Sequence, residues 1–256
     1  MKNYLTVGEI FMSGHSKWST IKRKKEKTDA QKASVFTKMA REISVAVKEG
    51  GADPASNGKL RDIIAKAKSQ NVPSDNITRI IKKASSDDKE NYEAIMYEGY
   101  GPNGIAVIVE ALTDNRNRTA ANMRHYFDKF GGNLGTTGCV AFMFTQKGIL
   151  VIDEYTGSED SIMESAIIAG AEDISFEDSI VEITTAPSDL RAVREALEEN
   201  GYSFVSAEIA YIPANTTKLT DENDMKKIGL LLNALDDDDD VQNYWTSLEN
   251  EDEIDR

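Results

Sequence analysis

The sequence is poor in the residues that most often carry chemistry. Its single cysteine, Cys139, excludes an internal disulfide and fits a reducing compartment. Two histidines, His15 and His125, cannot build a zinc site with that one thiol. Neither stands at a recognised spacing from a serine or cysteine, so a nucleophilic triad is not expected. No apolar run reaches the roughly 18 residues of a membrane-spanning helix. Residues 1–11, MKNYLTVGEIF, lack the basic start, apolar core and small-residue cleavage site of a signal peptide. The expected location is cytoplasmic, with no membrane partner. The Asn-x-Thr sequons at Asn76, Asn117 and Asn215 are then without consequence.

Charge is plentiful and unevenly placed. The chain has 256 residues, 40% apolar and 29% charged, which suits two or three globular domains. Its net charge is −14, yet residues 12–85 hold 17 Lys+Arg against 7 Asp+Glu, while residues 86–256 hold 12 against 36. A basic end on an acidic body points to a polyanion partner confined to the amino-terminal third. A lysine-rich bundle kept for solubility is the plainer alternative.

Residues 12–27, MSGHSKWSTIKRKKEK, show no apolar period and read as a basic arm. From Thr28 or Asp29 a helix is expected, with Val35, Phe36, Met39, Ala40, Ile43 and Val47 as its apolar stripe and Gly50-Gly51 as its stop. A second helix follows over 57–70, burying Leu60, Ile63, Ile64 and Ala67. A third starts near Pro73-Ser74-Asp75, burying Ile77, Ile80, Ile81 and Ala84. These make a basic three-helix bundle over 28–85. After 85 the period turns strand-like. Strands are expected at 94–100 and 104–112, then a helix from about 118 to 130. A hairpin over 139–145 and 149–153 would turn at Gln146-Lys147-Gly148. Helix 159–169, strand 179–185, helix 188–199 and strand 203–210 follow. The end offers a strand near 209–214, a helix over 221–235 and a strand over 241–248, which together complete the sheet begun at 94–112. The fold class is α+β and multidomain: a bundle, then two α+β domains of ferredoxin-like type, one inserted in the other. The expected divisions are 86–132 with 209–250 for the outer domain and 133–208 for the insertion.

Three stretches invite a catalytic reading. Gly99 to Gly104 spells G-x-G-x-x-G, but a strand rather than a helix follows it, so a tight hairpin is expected instead of a dinucleotide site. Asp236 to Asp240 lacks the spaced ligands and glycine of a calcium loop and reads as a solvated turn. The cluster Asp114-Asn115-Arg116-Asn117-Arg118-Thr119 precedes a helix that Asn117 could cap. Arginines at a helix's positive end suit a phosphate or partner loop made by Asn115, Arg116, Asn117, Arg118 and Thr119. An ordinary polar loop with salt bridges to nearby carboxylates is the alternative. No catalytic residue, metal or cofactor is expected.

GHSKW with its basic stretch, FTKMAREI, GGADPASN, NVPSDNI, YEGYGPNGIAVIVEALTDNRNRTAANMR and GGNLGTTGCVAFMF resemble the YebC/PmpR family of regulatory proteins, which includes the mitochondrial translational activator of cytochrome oxidase subunit I. The likeness runs from Met12 to about Trp245. It implies the three-domain fold above, a non-enzymatic role, and a native start at Met12 with 1–11 an upstream extension. Members have been assigned to promoter DNA and to translation, including relief of ribosomes stalled on proline-rich sequence. Two departures stand out: Ser74 where many members have lysine, and Tyr244-Trp245-Thr246 in place of V-Y-H.

Lys17, Lys22, Arg23, Lys24, Lys25, Lys27, Lys38 and Arg41 are the expected phosphate contacts, which give affinity without sequence information. His15 and Trp18 offer flat surfaces for an exposed base, although Trp18 could equally pin the arm to the bundle. Arg79, Lys82 and Lys83 on the third helix include few groups suited to base edges, and no dimerisation element is evident. Ribosomal RNA therefore leads promoter DNA as the expected target, for a monomer that acts with the ribosome and meets a basic protein partner through its acidic body. Two rivals from other classes are a small-molecule sensor using the Arg116/Arg118 loop and a phosphoryl-transfer enzyme using the aspartate run.

Overall fold

The computed structural model describes residues 29–86, 91–153, 155, 158–177 and 179–255. The expected arm at 12–27 and the extension at 1–11 lie outside them. Helices α1 (Asp29–Gly50), α2 (Gly58–Ser69) and α3 (Ser74–Ser85) form the bundle. Its core is Met39, Ile43, Ala46, Val47, Leu60, Ile63, Ala67, Val72, Ile77, Ile80 and Ala84, with Val35, Phe36, Ala40, Ile64 and Ile81 packed around it. The helical spacing of apolar residues therefore places the core as expected. Asn57 stitches the first corner: its Oδ1 accepts from Leu60 N at 3.0 Å, and its Nδ2 donates to the Ala46 and Gly51 carbonyls at 2.7 and 2.8 Å. Gly51 closes α1 at φ +86°, a conformation that side-chain-bearing residues rarely adopt.

The first sheet has the order β3-β1-β2-β8, where β1 is Glu93–Tyr100, β2 Ala106–Thr113, β3 Asn133–Leu134 and β8 Val241–Thr246. β8 pairs antiparallel with β2, Val107 opposite Thr246, so the last strand does complete the sheet begun by the first two. Helices α4 (Arg116–Lys129) and α7 (Glu222–Asp237) cover one face, burying Met123, Phe127, Ile228, Leu231 and Leu232 against Val107 and Val109. The stretch Gly101 to Gly104 is a tight connection between β1 and β2, with Asn103 at φ 54°. A dinucleotide reading has no helix to work with there. Gly132 lies so near β1 that a Cβ would sit 2.3 Å from the Tyr100 carbonyl oxygen.

The second sheet has the order β5-β6-β4-β7, with β4 Phe144–Asp153, β5 Asp173–Glu177, β6 Ile180–Thr185 and β7 Ser206–Pro213. Helices α5 (Glu159–Ala169) and α6 (Leu190–Glu199) cover one face. The chain order βαββαβ with this strand order is the ferredoxin-like arrangement. Three expectations are corrected. Residues 144–153 form one continuous strand, because β4 pairs along its length with β7 on one side and over 148–153 with β6 on the other, leaving no turn at Gln146-Lys147-Gly148. Strand β5 was not anticipated. The strands foreseen at 203–210 and 209–214 are the single β7, so the division at 208/209 falls inside a strand and the second sheet spans 144–213, while 133–134 belongs to the first sheet. The uncovered faces of the two sheets meet at Trp245, whose ring lies 4.9 Å from that of Tyr211. The tryptophan that departs from the family pattern is therefore a packing residue.

Glu98 fixes the loop between β3 and β4. Only 5% exposed, its carboxylate accepts from Gly138 N at 2.7 Å, Val140 N at 2.9 Å and Ala141 N at 2.8 Å. Burial pushes its pKa up, but the three backbone donors outweigh burial and hold it below the usual glutamate value. Glu98→Ala strands those donors and is expected to cost roughly 2–4 kcal/mol. That is a fall in Tm of about 4–12 °C at neutral pH. Because the folded pKa is depressed, the contribution is present above the ordinary glutamate pKa and lost as pH falls through the folded value. The gap between variant and wild type should close in acid, as pH-dependent thermal melts would record.

Candidate nucleic-acid interface

Of the residues expected to bind nucleic acid, His15, Lys17, Trp18, Lys22, Arg23, Lys24, Lys25 and Lys27 lie outside the described residues. Lys38 and Arg41 lie on α1, and the structure turns both toward the aspartate run. Lys38 Nζ donates to the Asp236 carbonyl at 2.8 Å, next to the carboxyl end of α7, where a cation complements the helix dipole. Arg41 donates to the carbonyls of Leu112 at 3.0 Å and Asp239 at 2.9 Å and pairs with the Asp240 carboxylate, its side chain only 14% exposed. Its guanidinium also lies 5.4 Å from the centroid of the Tyr92 ring. A buried, paired arginine is not presented to a phosphate backbone. Both residues serve as ties between the bundle and the first sheet.

Asp240 is the centre of this junction, and the expectation of a solvated turn fails for it. It is 3% exposed. Besides Arg41, its carboxylate accepts from Arg118 Nη2 at 2.8 Å, Thr119 Oγ1 at 2.7 Å and Thr113 Oγ1 at 3.2 Å. Burial works to raise its pKa, but the bonds from Thr119, Arg118 and Arg41 prevail and hold it below the usual aspartate range. Its neighbours are engaged too. Asp238 accepts from Asn122 at 3.2 Å and from the Tyr126 hydroxyl at 3.0 Å. Burial and that carboxylate push the Tyr126 pKa up to about 12. Asp239 accepts from Ser34 at 3.0 Å, and Asp236 from the Tyr244 hydroxyl at 3.0 Å. The run is a clasp rather than a metal site, and no group of metal-ligating side chains occurs among the described residues.

The Asn115–Thr119 loop supplies the other half of the clasp. Asn115, not Asn117, caps α4: its Oδ1 accepts from Arg118 N at 3.1 Å, and the helix starts at Arg116. Arg118 bonds Asp240 first and Asp114 second, which together raise its pKa above the ordinary arginine value. Thr119 is buried, and its hydroxyl also contacts that of Thr113 at 2.8 Å. The place beside Arg118 expected to take a phosphate is filled by the Asp240 carboxylate. Arg116 and Asn117 stay exposed, Arg116 paired with Glu93 at 3.1 Å.

A second tie joins the bundle to the inserted domain. Asp62 on α2 pairs with Arg191 and, at 2.8 Å, with Arg194 on α6. Between them lies a cleft of about 380 Å³ whose walls include Phe36, Val72, Pro73, Phe204 and Val205, with Lys66 at its side. Burial disfavours the charge on Lys66, but Glu42, at 2.8 Å, and Glu208 more than compensate, so its pKa is raised. With these cations taken inward, the exposed cations among the bundle's described residues are Lys48, Lys59 and Arg61, the last two paired with Glu49 and Glu195, Lys68 near the end of α2, and Arg79, Lys82 and Lys83 on the outer side of α3.

A basic bundle clasped to two nested, helix-covered sheets defines a three-part α+β protein. The chain belongs to the TACO1/YebC family: residues 16–87 match the family's amino-terminal domain and residues 92–248 its second and third domains. A relative from Acetivibrio thermocellus, named "Probable transcriptional regulatory protein", is 56% identical over 236 residues, covering 91% of this chain and 98% of its own. One of the same name from Finegoldia magna is 54% identical over 241 residues, covering 94% of this chain and 100% of its own. The crystal structure of a conserved hypothetical protein from Aquifex aeolicus superposes with a TM-score of 0.79 at 43% identity, covering 88% of this chain and 93% of that one. These relatives are named as regulatory proteins and not as enzymes, in keeping with a non-enzyme.

Asp240→Ala leaves Arg41 buried without its carboxylate and should destabilise the protein by roughly 3–5 kcal/mol. Asp237→Ala, at an exposed position of the same run, should change stability by less than about 0.5 kcal/mol. Urea denaturation of the two variants separates a clasp from a solvated acidic turn, for which both substitutions would be equally mild.

Proposed function

We propose that this chain is a non-enzymatic, nucleic-acid-binding regulator of gene expression that works in the cytoplasm as a ribosome-associated translation factor. It contacts ribosomal RNA through its basic amino-terminal third and aids synthesis of difficult, proline-rich sequence. The observation that carries this reading is the segregation of charge, 17 cationic against 7 anionic residues over 12–85 and 12 against 36 beyond. The bundle adds detail. Lys38 and Arg41 are spent on the clasp, so the phosphate contacts fall to Lys17, Lys22, Arg23, Lys24, Lys25 and Lys27 of the arm together with Arg79, Lys82 and Lys83 of α3, with His15 and Trp18 as stacking surfaces. Such contacts read backbone and shape, which suits structured RNA. The acidic body is repelled by phosphate and is free to meet a basic protein of the same particle. The protein acts as a monomer.

A second reading, binding at promoter DNA, is favoured by the name that the relatives carry. Ribosome co-sedimentation from lysate at two salt concentrations decides between them. Wild type should pellet and be released steeply by salt. A variant with Lys22, Arg23, Lys24 and Lys25 all changed to glutamate should stay in the supernatant. Its residual binding should show a log–log salt slope shallower by roughly three, for four lost contacts on single-stranded RNA. Arg79→Glu with Lys82→Glu should weaken pelleting in the same direction. Wild type that stays in solution even at low salt would remove the translation reading and make promoter DNA the target.

A further inference from the structure

Phe142 stands 78% exposed in the middle of the 3-10 turn Ala141–Met143. The turn around it is tightly held. Val140 before it is fully buried and Phe144 after it nearly so. The Glu98 carboxylate binds Val140 N and Ala141 N, Met143 N donates to the Val140 carbonyl at 2.9 Å, and the Met143 carbonyl accepts from Ala214 N at 2.8 Å. The backbone on both sides of the ring is thus fixed while the ring itself meets water. A single exposed aromatic is unremarkable alone.

The charge around it is not ordinary. The chain has 44 carboxylates, yet residues 130–152 contain none. Neither do residues 209–220, which lie against the first segment through the bond from Ala214 and the pairing of Phe144 with Pro213. Two carboxylate-free segments, far apart in sequence, meet beside Phe142 on a body that is otherwise strongly negative. Carboxylates that reach them are occupied: Glu98 by backbone donors, Glu172 by Lys147 at 2.6 Å, Glu249 by Thr216 at 3.4 Å, and Glu253 by Lys218 at 3.0 Å. The exposed groups on these segments are mostly hydroxyls and amides, among them Thr136, Thr137, Thr145, Gln146, Asn215 and Thr216, with the Lys218 ammonium and the Ile209 side chain besides. A protein-docking patch would surround the ring with further apolar surface. A flat ring among neutral hydrogen-bonding groups, where repulsion of phosphate is locally relieved, is instead the setting for a base.

We infer that Phe142 is a nucleobase-stacking platform, held rigid by Glu98, for an unpaired base of the nucleic acid whose backbone the amino-terminal third grips. This rests on the function proposed above. The full chain is tested against deproteinised ribosomal RNA and intact ribosomes, as wild type, Phe142→Ala, Phe142→Trp and the arm variant with four glutamates. Phe142→Ala should melt like wild type yet bind RNA about five- to a hundredfold more weakly. Its salt slope should be unchanged, because no phosphate contact is lost. Phe142→Trp should keep the affinity, and its added indole emission should be quenched on binding. If Phe142→Ala binds both targets like wild type while the arm variant does not, the stacking site is overturned and the nucleic-acid reading stands. If Phe142→Ala loses affinity for ribosomes but not for bare RNA, the ring docks on protein and the inference fails. Wild type that binds neither target overturns both readings together.

Discussion

The Asp240 carboxylate receives hydrogen bonds from three parts of the chain: Arg41 of the bundle, Arg118 and Thr119 of the first turn of α4, and Thr113 at the end of β2. A carboxylate removed from water is costly unless its lone pairs are filled, and here each oxygen has at least two donors. Arg41 and Asp240 are 199 residues apart in the chain, so the bond is a purely tertiary constraint. It sets the bundle against the first sheet, while Asp62 with Arg191 and Arg194 sets the same bundle against the second. Two carboxylates, one received and one offered by the bundle, fix where its remaining basic surface points.

That division of labour changes how the charge asymmetry is read. Cations on α1 and α2 are not all available outside. Lys38 and Arg41 answer the acidic body at Asp236 to Asp240, while Lys66 is matched by Glu42 of α1 and by Glu208 of β7. The outer face of α3 remains. Composition can show that a region is basic, but only the packing shows which of its cations are already neutralised.

The bundle was legible because its signal is local. Apolar residues at helical spacing named Met39, Ile43, Val47, Leu60, Ile77 and Ile80 as core before any contact was known. The nesting of the two sheets was legible in part: the last strand joins the incomplete sheet at the start, while the strand near 209–214 is β7 of the second sheet. Strand β4 was misread because Gln146-Lys147-Gly148 has the look of a turn. In the fold Gly148 is a point of close approach, where a Cβ would meet Thr185 Oγ1 at 2.3 Å. Strand β5, DISFE, has too few apolar residues to announce itself. Arg118 was suspected as half of an anion site, and the anion proved to be Asp240, 122 residues further on. No pattern within a short window could have supplied it. A lone glutamate inside the apolar end of β1 was the one local hint of the Glu98 loop, and it went unused.

The nested topology also governs the order in which the molecule can be made. As the chain leaves the ribosome, the bundle and then the βαββαβ unit have all their strands and helices in hand and can form from near neighbours. The first sheet cannot, because β2 waits for β8, and Val107 finds Thr246 only after the whole insertion has emerged. Folding the insertion first shortens the effective loop that this pairing must close, which lowers its entropic cost. The clasp residue lies immediately before β8. The bundle is therefore locked to its host sheet only after the whole insertion and α7 have been made.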